Sequence, residues 1–259
     1  MNERKIEFEG IRNCRDLGSL VTKDGKTIKK GKLIRSANLS KASDNDLVIL
    51  EDMNLKKVVD LRSIREVMFS PDRYPENTEY VHNYIFAENR DGISHEKDEE
   101  KKGPDDPSKY NMINAYAHLM SEPVCIRHFG KALRIVMEND YSDGCVLWHC
   151  SEGKDRCGLL SAFVLTVLGV DEDTIREDYL LTNEVNGPRA EYFYHMYREN
   201  GRSEADCIAV RDVFLAKEEY LNVALKTIID GYGNMDNFIT EGMGISQELI
   251  DSFRAQILE

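Results

Sequence analysis

Short apolar runs at Val58 to Leu61, Tyr80 to Phe86 and Val146 to His149 have the length of strands, and longer stretches with helical spacing separate or follow them. That alternation predicts an α/β chain. Ser43, with Asp46 three positions on, predicts a capping box opening a helix to about Met53, whose Leu47 and Leu50 share one face. Tyr110 to Met120 and Cys125 to Glu138 carry helical spacing interrupted at Pro123, which predicts an α-hairpin or a bent helix. Leu159 to Leu168 is apolar nearly all round, the pattern of a buried helix. Asp171 opens a helix through Leu181, Pro188 suggests the first turn of another, and Lys217 to Tyr232 places Leu221, Leu225, Ile228, Ile229 and Tyr232 on one stripe. A last helix runs from about Gln247. Between Glu88 and Ser108 the chain turns polar, with the run His95 to Lys102 closing on Gly103-Pro104-Asp105-Asp106-Pro107, which predicts a loop or irregular lid. No internal repeat is evident.

Composition narrows the partners. With 259 residues and 41% hydrophobic content the chain can fill a real core, and it reads as one domain with an insertion. Its net charge of −13 argues against nucleic acid and against general adhesion to anionic membranes, so any basic character is local. The six cysteines, at 14, 125, 145, 150, 157 and 207, form no regular framework and read as reduced thiols. Met1 to Ile6 has no apolar secretory core and no stretch reaches membrane-spanning length, so a cytoplasmic location is expected, with export by other routes left open.

Chemistry concentrates in His149-Cys150-Ser151-Glu152-Gly153-Lys154-Asp155-Arg156-Cys157-Gly158, between the run Val146 to Trp148 and the apolar helix that follows. A cysteine six positions before an arginine, with a glycine between them and a helix beginning at the arginine, can wrap backbone amides around an oxyanion. The Arg156 guanidinium would then clamp two of its oxygens. A free thiol has a pKa of about 8.5, and the thiolate is the nucleophile. The helix dipole, the converging amides and the charges of Arg156 and Lys154 all favour the anion at Cys150. Attack on phosphorus would give a phosphocysteine that water hydrolyses, and no metal or other cofactor is called for. Gly153 supplies a backbone conformation closed to other residues or a close approach to the phosphate, and Gly158 lets the helix pack tightly against the strand. His149, Cys150 and Cys157 do not make up a four-ligand zinc site.

The loop resembles the HCxxGKDRTG sequence of the atypical bacterial tyrosine phosphatases, those like mycobacterial protein tyrosine phosphatase B. The likeness extends to Arg12-Asn13-Cys14-Arg15-Asp16-Leu17-Gly18, to Gly31 to Ser36 with Leu39-Ser40, to Asp60-Leu61-Arg62-Ser63 with Glu66, to Asp178-Tyr179-Leu180 with Asn183, and to Tyr232-Gly233 with Gly244-Ile245-Ser246. The resemblance implies a cysteine-phosphatase fold: a central, mostly parallel sheet flanked by helices, in one domain over 1–259, with a lid or insertion over 88–140 and a helical part over 184–259 covering the pocket. It implies removal of phosphate from phosphotyrosine, extending in some members to phosphoserine, phosphothreonine and phosphoinositides. Cys150 is carried over as nucleophile, Arg156 as phosphate clamp, and Lys154 and Asp155 as the pair that sets the family apart. Ser151, Glu152, Gly153, Lys154, Cys157 and Gly158 complete the substrate-binding set. Two positions depart from the pattern. Cys157 stands where the family has Thr, whose hydroxyl would help the thiolate leave in the second step, and Cys14 replaces an aromatic residue.

A leaving phenolate or alkoxide needs a proton. Asp155 is the first candidate, with a structural role as its alternative; Glu88 is the second, with Asp91 behind it. Asp60, at the end of a strand, is expected to orient Arg62 or a nearby loop. Lys154 either meets a second charge on the substrate, a phosphoinositide headgroup or a doubly charged peptide, or is a solvated side chain. Arg15, Asp16, Arg35 and Ser36 line the pocket floor or pin the N-terminal segment to the sheet. Cys157 or Cys14 could trap an oxidised Cys150 as a disulfide. The competing functions are a phosphate-binding module that has lost turnover, and a thiol redox or arsenate-reducing protein.

Overall fold

A computed structural model describes residues 3–86 and 111–259. The loop or irregular lid expected over Glu88 to Ser108, with Glu88 and Asp91, lies outside the described residues, as does the first part of the insertion expected over 88–140. Among the described residues, five strands form one sheet in the order β1-β2-β5-β3-β4: β1 (Arg15–Asp16), β2 (Leu33–Ser36), β3 (Leu55–Asp60), β4 (Glu79–His82) and β5 (Cys145–His149). Only the β1–β2 pair is antiparallel. The central strand β5 leads straight into residues 150–156, so the loop sits at the carboxyl end of the sheet, where open α/β sheets bind ligands.

The apolar run of β5 is explained by burial on both faces. Val146 and Trp148 join Leu33 and Val59 in the larger core, while Cys145 and Leu147 join Ile34 and Val58 in a smaller one. The larger core is built by α3 (Met112–Ser121), α4 (Pro123–Met137), α5 (Asp155–Leu168), α9 (Glu218–Tyr232) and α10 (Gln247–Ile257). The smaller takes α1 (Asp44–Asp52), opened by the Ser43–Asp46 capping box. A second box, Ser63 with Glu66, opens α2 (Ile64–Phe69). The α-hairpin expected from Tyr110 to Glu138 is α3 and α4, broken at Pro123, and its residues Tyr116, Leu119, Phe129 and Leu133 are core.

Two elements differ from the sequence reading. The strand expected over Tyr80 to Phe86 is assigned only to His82; beyond it the Asn83 amide still donates to the Asp60 carbonyl at 2.9 Å, and the Asn83 side chain donates to the His128 carbonyl. Pro188 lies inside α7 (Thr182–Glu199) rather than in its first turn, since α7 follows α6 (Glu172–Leu180) after a single residue. A proline there forfeits one backbone hydrogen bond. The helix is held at its start by Asn183, which exchanges hydrogen bonds with the Ala216 backbone, and by Asn186, which donates to Phe214. With α8 (Glu204–Phe214), α7 forms a satellite core of Ala190, Phe193, Tyr197, Cys207, Val210 and Phe214. Of the Tyr192 to Tyr197 aromatics, Phe193 and Tyr197 are plain core and Tyr192 is exposed. No helix among the described residues is long and apolar enough to cross a membrane.

Beneath the loop, one carboxylate gathers three arginines. Asp178 on α6 meets Arg15 at 3.1 Å, Arg35 at 2.7 Å and Arg4 at 2.8 Å. Burial alone would raise this carboxyl, but the surrounding guanidiniums hold it well below the usual range. Arg15 and Arg35 are therefore scaffold, tying the N-terminal segment and β2 to α6. Removing the charge with Asp178→Asn leaves the buried cations without their counter-ion and should cost about 3–5 kcal/mol in urea denaturation at pH 7. A folded-state pKa below the unfolded value means that this stabilisation is present above about pH 4 and is lost as pH falls, so the difference between variant and parent should shrink in acid.

Candidate active site

The loop from Cys150 to Arg156 is held by its carbonyls. The Cys150 carbonyl meets His149 Nδ1 at 3.1 Å, and the Ser151 carbonyl accepts from the Asn38 amide at 3.2 Å and from its side chain at 2.9 Å. Asn13 Nδ2 donates to the carbonyls of Glu152 and Gly153 at 3.0 and 3.1 Å, and Arg35 donates to Gly153 at 2.8 Å. In a trans peptide the N–H points opposite to the C=O. Four carbonyls drawn outward therefore turn the amides of residues 151 to 154 inward. Among the described residues no protein acceptor meets the amides of Ser151, Gly153, Lys154 or Asp155. Buried amides are satisfied as a rule, so this ring of donors is shaped for an anion.

Gly153 makes the turn at φ +65°, and a Cβ there would come within 2.6 Å of the Ser36 backbone. The unusual conformation expected for this glycine is present, and the close approach it makes here is to the β2 end rather than to a ligand. Gly158 serves a different neighbour from the one expected: its missing Cβ admits the Tyr179 ring of α6 rather than the strand.

Arg156, in the first turn of α5, forms a two-pronged pair with Glu66, Nη1 to Oε2 at 2.7 Å and Nη2 to Oε1 at 2.9 Å. Its guanidinium lies 4.9 Å from the centre of the Phe86 ring, and Ser151 Oγ bridges to the same Glu66 carboxylate. Burial would raise the Glu66 carboxyl, but the Arg156 charge, with hydrogen bonds from Arg156, Ser151 and the Ser63 amide, brings it down to about 2. The same pair raises Arg156, so the guanidinium is a permanent cation in a fixed plane. In the sequence Glu66 stood out only within the segment Asp60-Leu61-Arg62-Ser63 with Glu66 that carries the family resemblance, and its Ser63-x-x-Glu66 spacing, which the structure shows to be a capping box, gives no sign of this second contact.

Lys154 departs from both sequence alternatives. It is neither solvated nor aimed at a ligand: its ammonium is fully buried, donates to the carbonyls of Val213 and Leu215, and lies 3.2 Å from Asp155 Oδ1. The satellite helices capture it because a buried ammonium needs acceptors, and the end of α8 presents two carbonyls. Asp155 Oδ1 also accepts from Tyr116 Oη at 2.7 Å, and that hydroxyl is 2.7 Å from Tyr179 Oη. Among the described residues no hydrogen bond reaches Asp155 Oδ2. One oxygen is anchored and the other is not.

The remaining loop side chains point elsewhere. Glu152 pairs with Arg12 and Arg189, and Cys157 lies under the loop with Sγ 3.6 Å from the Trp148 carbonyl. Burial pushes the Cys157 thiol up to about 11 and Cys14 higher still, which makes both poor partners for an oxidised Cys150. Asp60 orients Arg62, as expected, through contacts of 2.7–3.1 Å, and Arg62 also binds Asp72 at 2.6 Å. His149 Nε2 lies 3.1 Å from Asp72. Burial would lower the His149 pKa, but Asp72 and Asp60 raise it. These two carboxylates and the imidazole could in principle hold a metal, yet the Arg62 guanidinium already occupies the space between the carboxylates. The set does not fit one.

A cleft of about 610 Å³ between α5, α6 and α9 touches none of residues 150–156, so chemistry rather than volume points to the loop. The chain is 27% identical over 93% of its length to 84% of "Putative tyrosine-protein phosphatase H16_A0669" of Cupriavidus necator. It is 26% identical over 97% of its length to 98% of the triple specificity protein phosphatase PtpB of Mycobacterium tuberculosis. Among solved structures, the Pseudomonas aeruginosa protein TpbA aligns at 15% identity over 77% of this chain and 90% of that one, with a TM-score of 0.34. The model of the tyrosine phosphatase family matches residues 6–259, and the chain belongs to that family of phosphoric monoester hydrolases.

Proposed function

We propose that the protein hydrolyses phosphotyrosine through a phosphocysteine on Cys150, without a metal. The observation that carries this reading is the inward ring of loop amides around Cys150, closed by the fixed Arg156 fork. Cys150 Sγ attacks phosphorus and the bond to the tyrosyl oxygen breaks, while Arg156 and the amides take up the charge spreading over the equatorial oxygens. Asp155 Oδ2 delivers the proton to the leaving oxygen. In the second step water attacks the phosphocysteine, Asp155 takes the water's proton, and the sulfur leaves as thiolate. Activity on phosphoserine, phosphothreonine and phosphoinositides belongs to the same proposal; the triple specificity named for the mycobacterial relative supports it.

The thiol of Cys157 is turned to the Trp148 carbonyl, so it offers the departing sulfur no donor as a threonine hydroxyl would. That favours a slow second step as the second reading. A rapid burst of phenol release followed by slow turnover on an aryl phosphate would support it, and sustained turnover without a burst would dismiss it.

Cys150→Ser should reduce turnover to background while the protein still binds inorganic phosphate or vanadate in a calorimetric titration. Retained turnover would remove Cys150 from the mechanism. Asp155→Asn should lower kcat by about 10²–10⁴-fold for alkyl phosphates and far less for p-nitrophenyl phosphate, whose leaving group needs no proton. Tyr116→Phe should show the same leaving-group dependence in milder form, and equal losses on both substrates would make Asp155 structural.

A further inference from the structure

An ammonium carries three N–H donors, and three oxygens around the Lys154 ammonium match them: the carbonyls of Val213 and Leu215 and, at 3.2 Å, Asp155 Oδ1. No donor is left over for a substrate. What holds the ammonium there is the carboxyl end of α8. The last carbonyls of a helix have no partner within it, and the helix dipole makes that end negative.

Each carbonyl from Arg211 to Ala216 has its own donor. The Arg211 carbonyl accepts from the Leu215 amide at 3.2 Å, and that of Asp212 accepts from Tyr220 Oη at 3.2 Å. Asn186 on α7 donates to the Phe214 carbonyl at 3.3 Å. Asn183, also on α7, donates to the Ala216 carbonyl and accepts from the Ala216 amide, both at 2.8 Å. Val213 and Leu215 alternate with these, and Lys154 takes both. The Tyr220 ring centre lies 5.8 Å from the same ammonium. A strip of backbone pinned from α7 and α9 thus fixes where a lysine of the loop can put its charge.

We propose that the end of α8 acts on the reaction through Lys154, which positions Asp155 and does not bind the substrate. The inference rests on the reading that Asp155 is the acid. Tyr116 Oη, at 2.7 Å, and the Lys154 ammonium both address Oδ1, so a proton carried by Asp155 sits on Oδ2. Releasing Lys154 removes one of these two anchors and lets the carboxyl turn, and a displacement of about 1 Å in a reacting group can cost about 10²-fold. Asn183 belongs to the same device without touching the loop side chains that meet the substrate.

The experiment measures kcat/KM, which reports expulsion of the leaving group whatever the speed of the second step. A phosphotyrosine peptide, whose leaving oxygen has a pKa of about 10, is compared with p-nitrophenyl phosphate. The variants are Lys154→Met, Asn183→Ala, Asp155→Asn and, as control, Tyr141→Phe, which deletes a buried hydrogen bond of 2.8 Å to the Val136 carbonyl. Lys154→Met should lose about tenfold more on the peptide than on p-nitrophenyl phosphate, in the direction of Asp155→Asn. Asn183→Ala should do the same in milder form, and Tyr141→Phe should treat both substrates alike. In the Cys150→Ser background, Lys154→Met should change the affinity for inorganic phosphate by no more than about threefold in a calorimetric titration. A loss of phosphate affinity above about tenfold would make Lys154 a substrate ligand and overturn the proposal. Equal losses on both substrates in Lys154→Met, with Asp155→Asn keeping its leaving-group dependence, would overturn the positioning role and leave the acid in place. Equal losses in Asp155→Asn would remove the acid and this proposal together. Should Lys154→Met not fold, Asn183→Ala decides, and a profile like that of Tyr141→Phe would overturn the link to α8.

Discussion

The structure depends on a loop turned inside out. Left to itself, a seven-residue segment at a strand end would satisfy its own amides with its own carbonyls or with water. Here Asn13, Asn38, Arg35 and His149 take the carbonyls of residues 150 to 153, and the geometry of the peptide plane does the rest. The donors come from the N-terminal segment, from β2 and the turn after it, and from the end of β5. Distant stretches of sequence thus converge on one backbone conformation, and Gly153 supplies the one residue that can adopt it.

Charge is the second constraint. In an acidic chain the buried arginines around the loop are nearly all committed: Arg15 and Arg35 to Asp178, Arg62 to Asp60 and Asp72, Arg156 to Glu66. Buried pairs of this kind add little net stability, but each guanidinium is held in one plane at no further cost when an anion arrives. The fold itself therefore holds the ring of loop amides and the Arg156 fork in place. Lys154 shows the same logic at a single residue: its charge neighbours Asp155, and its reach is spent on the satellite helices rather than on solvent.

The strand, loop and helix around Cys150 were legible because three local signals coincide there: a fully apolar strand, a glycine at a forced turn, and a helix whose first turn carries the arginine. Asp60 with Arg62 and the capping box at Ser43 were legible for the same local reason. Partnerships across long sequence distances were not. Nothing in the spacing says that Asp178 lies between Arg15 and Arg35, or that Tyr116 reaches Asp155 from a helix nearly forty positions earlier. Pro188 misled because a proline near a helix start is the common case, and only the stacking of α7 directly on α6 makes it an interior residue. Lys154 misled because exposure of a lysine is the ordinary outcome, and its acceptors belong to a helix sixty residues away.

Helix α2 has six residues, too few to be stable on its own, and its side chains Ile64, Met68 and Phe69 stand in solvent. Yet its first turn supplies Glu66, so one carboxylate both seals a helix end and braces the guanidinium opposite the sulfur. Fraying of that single turn would let the fork swing while every strand stayed paired. Warming should accordingly silence the protein by local melting, at temperatures where the sheet and both cores remain intact.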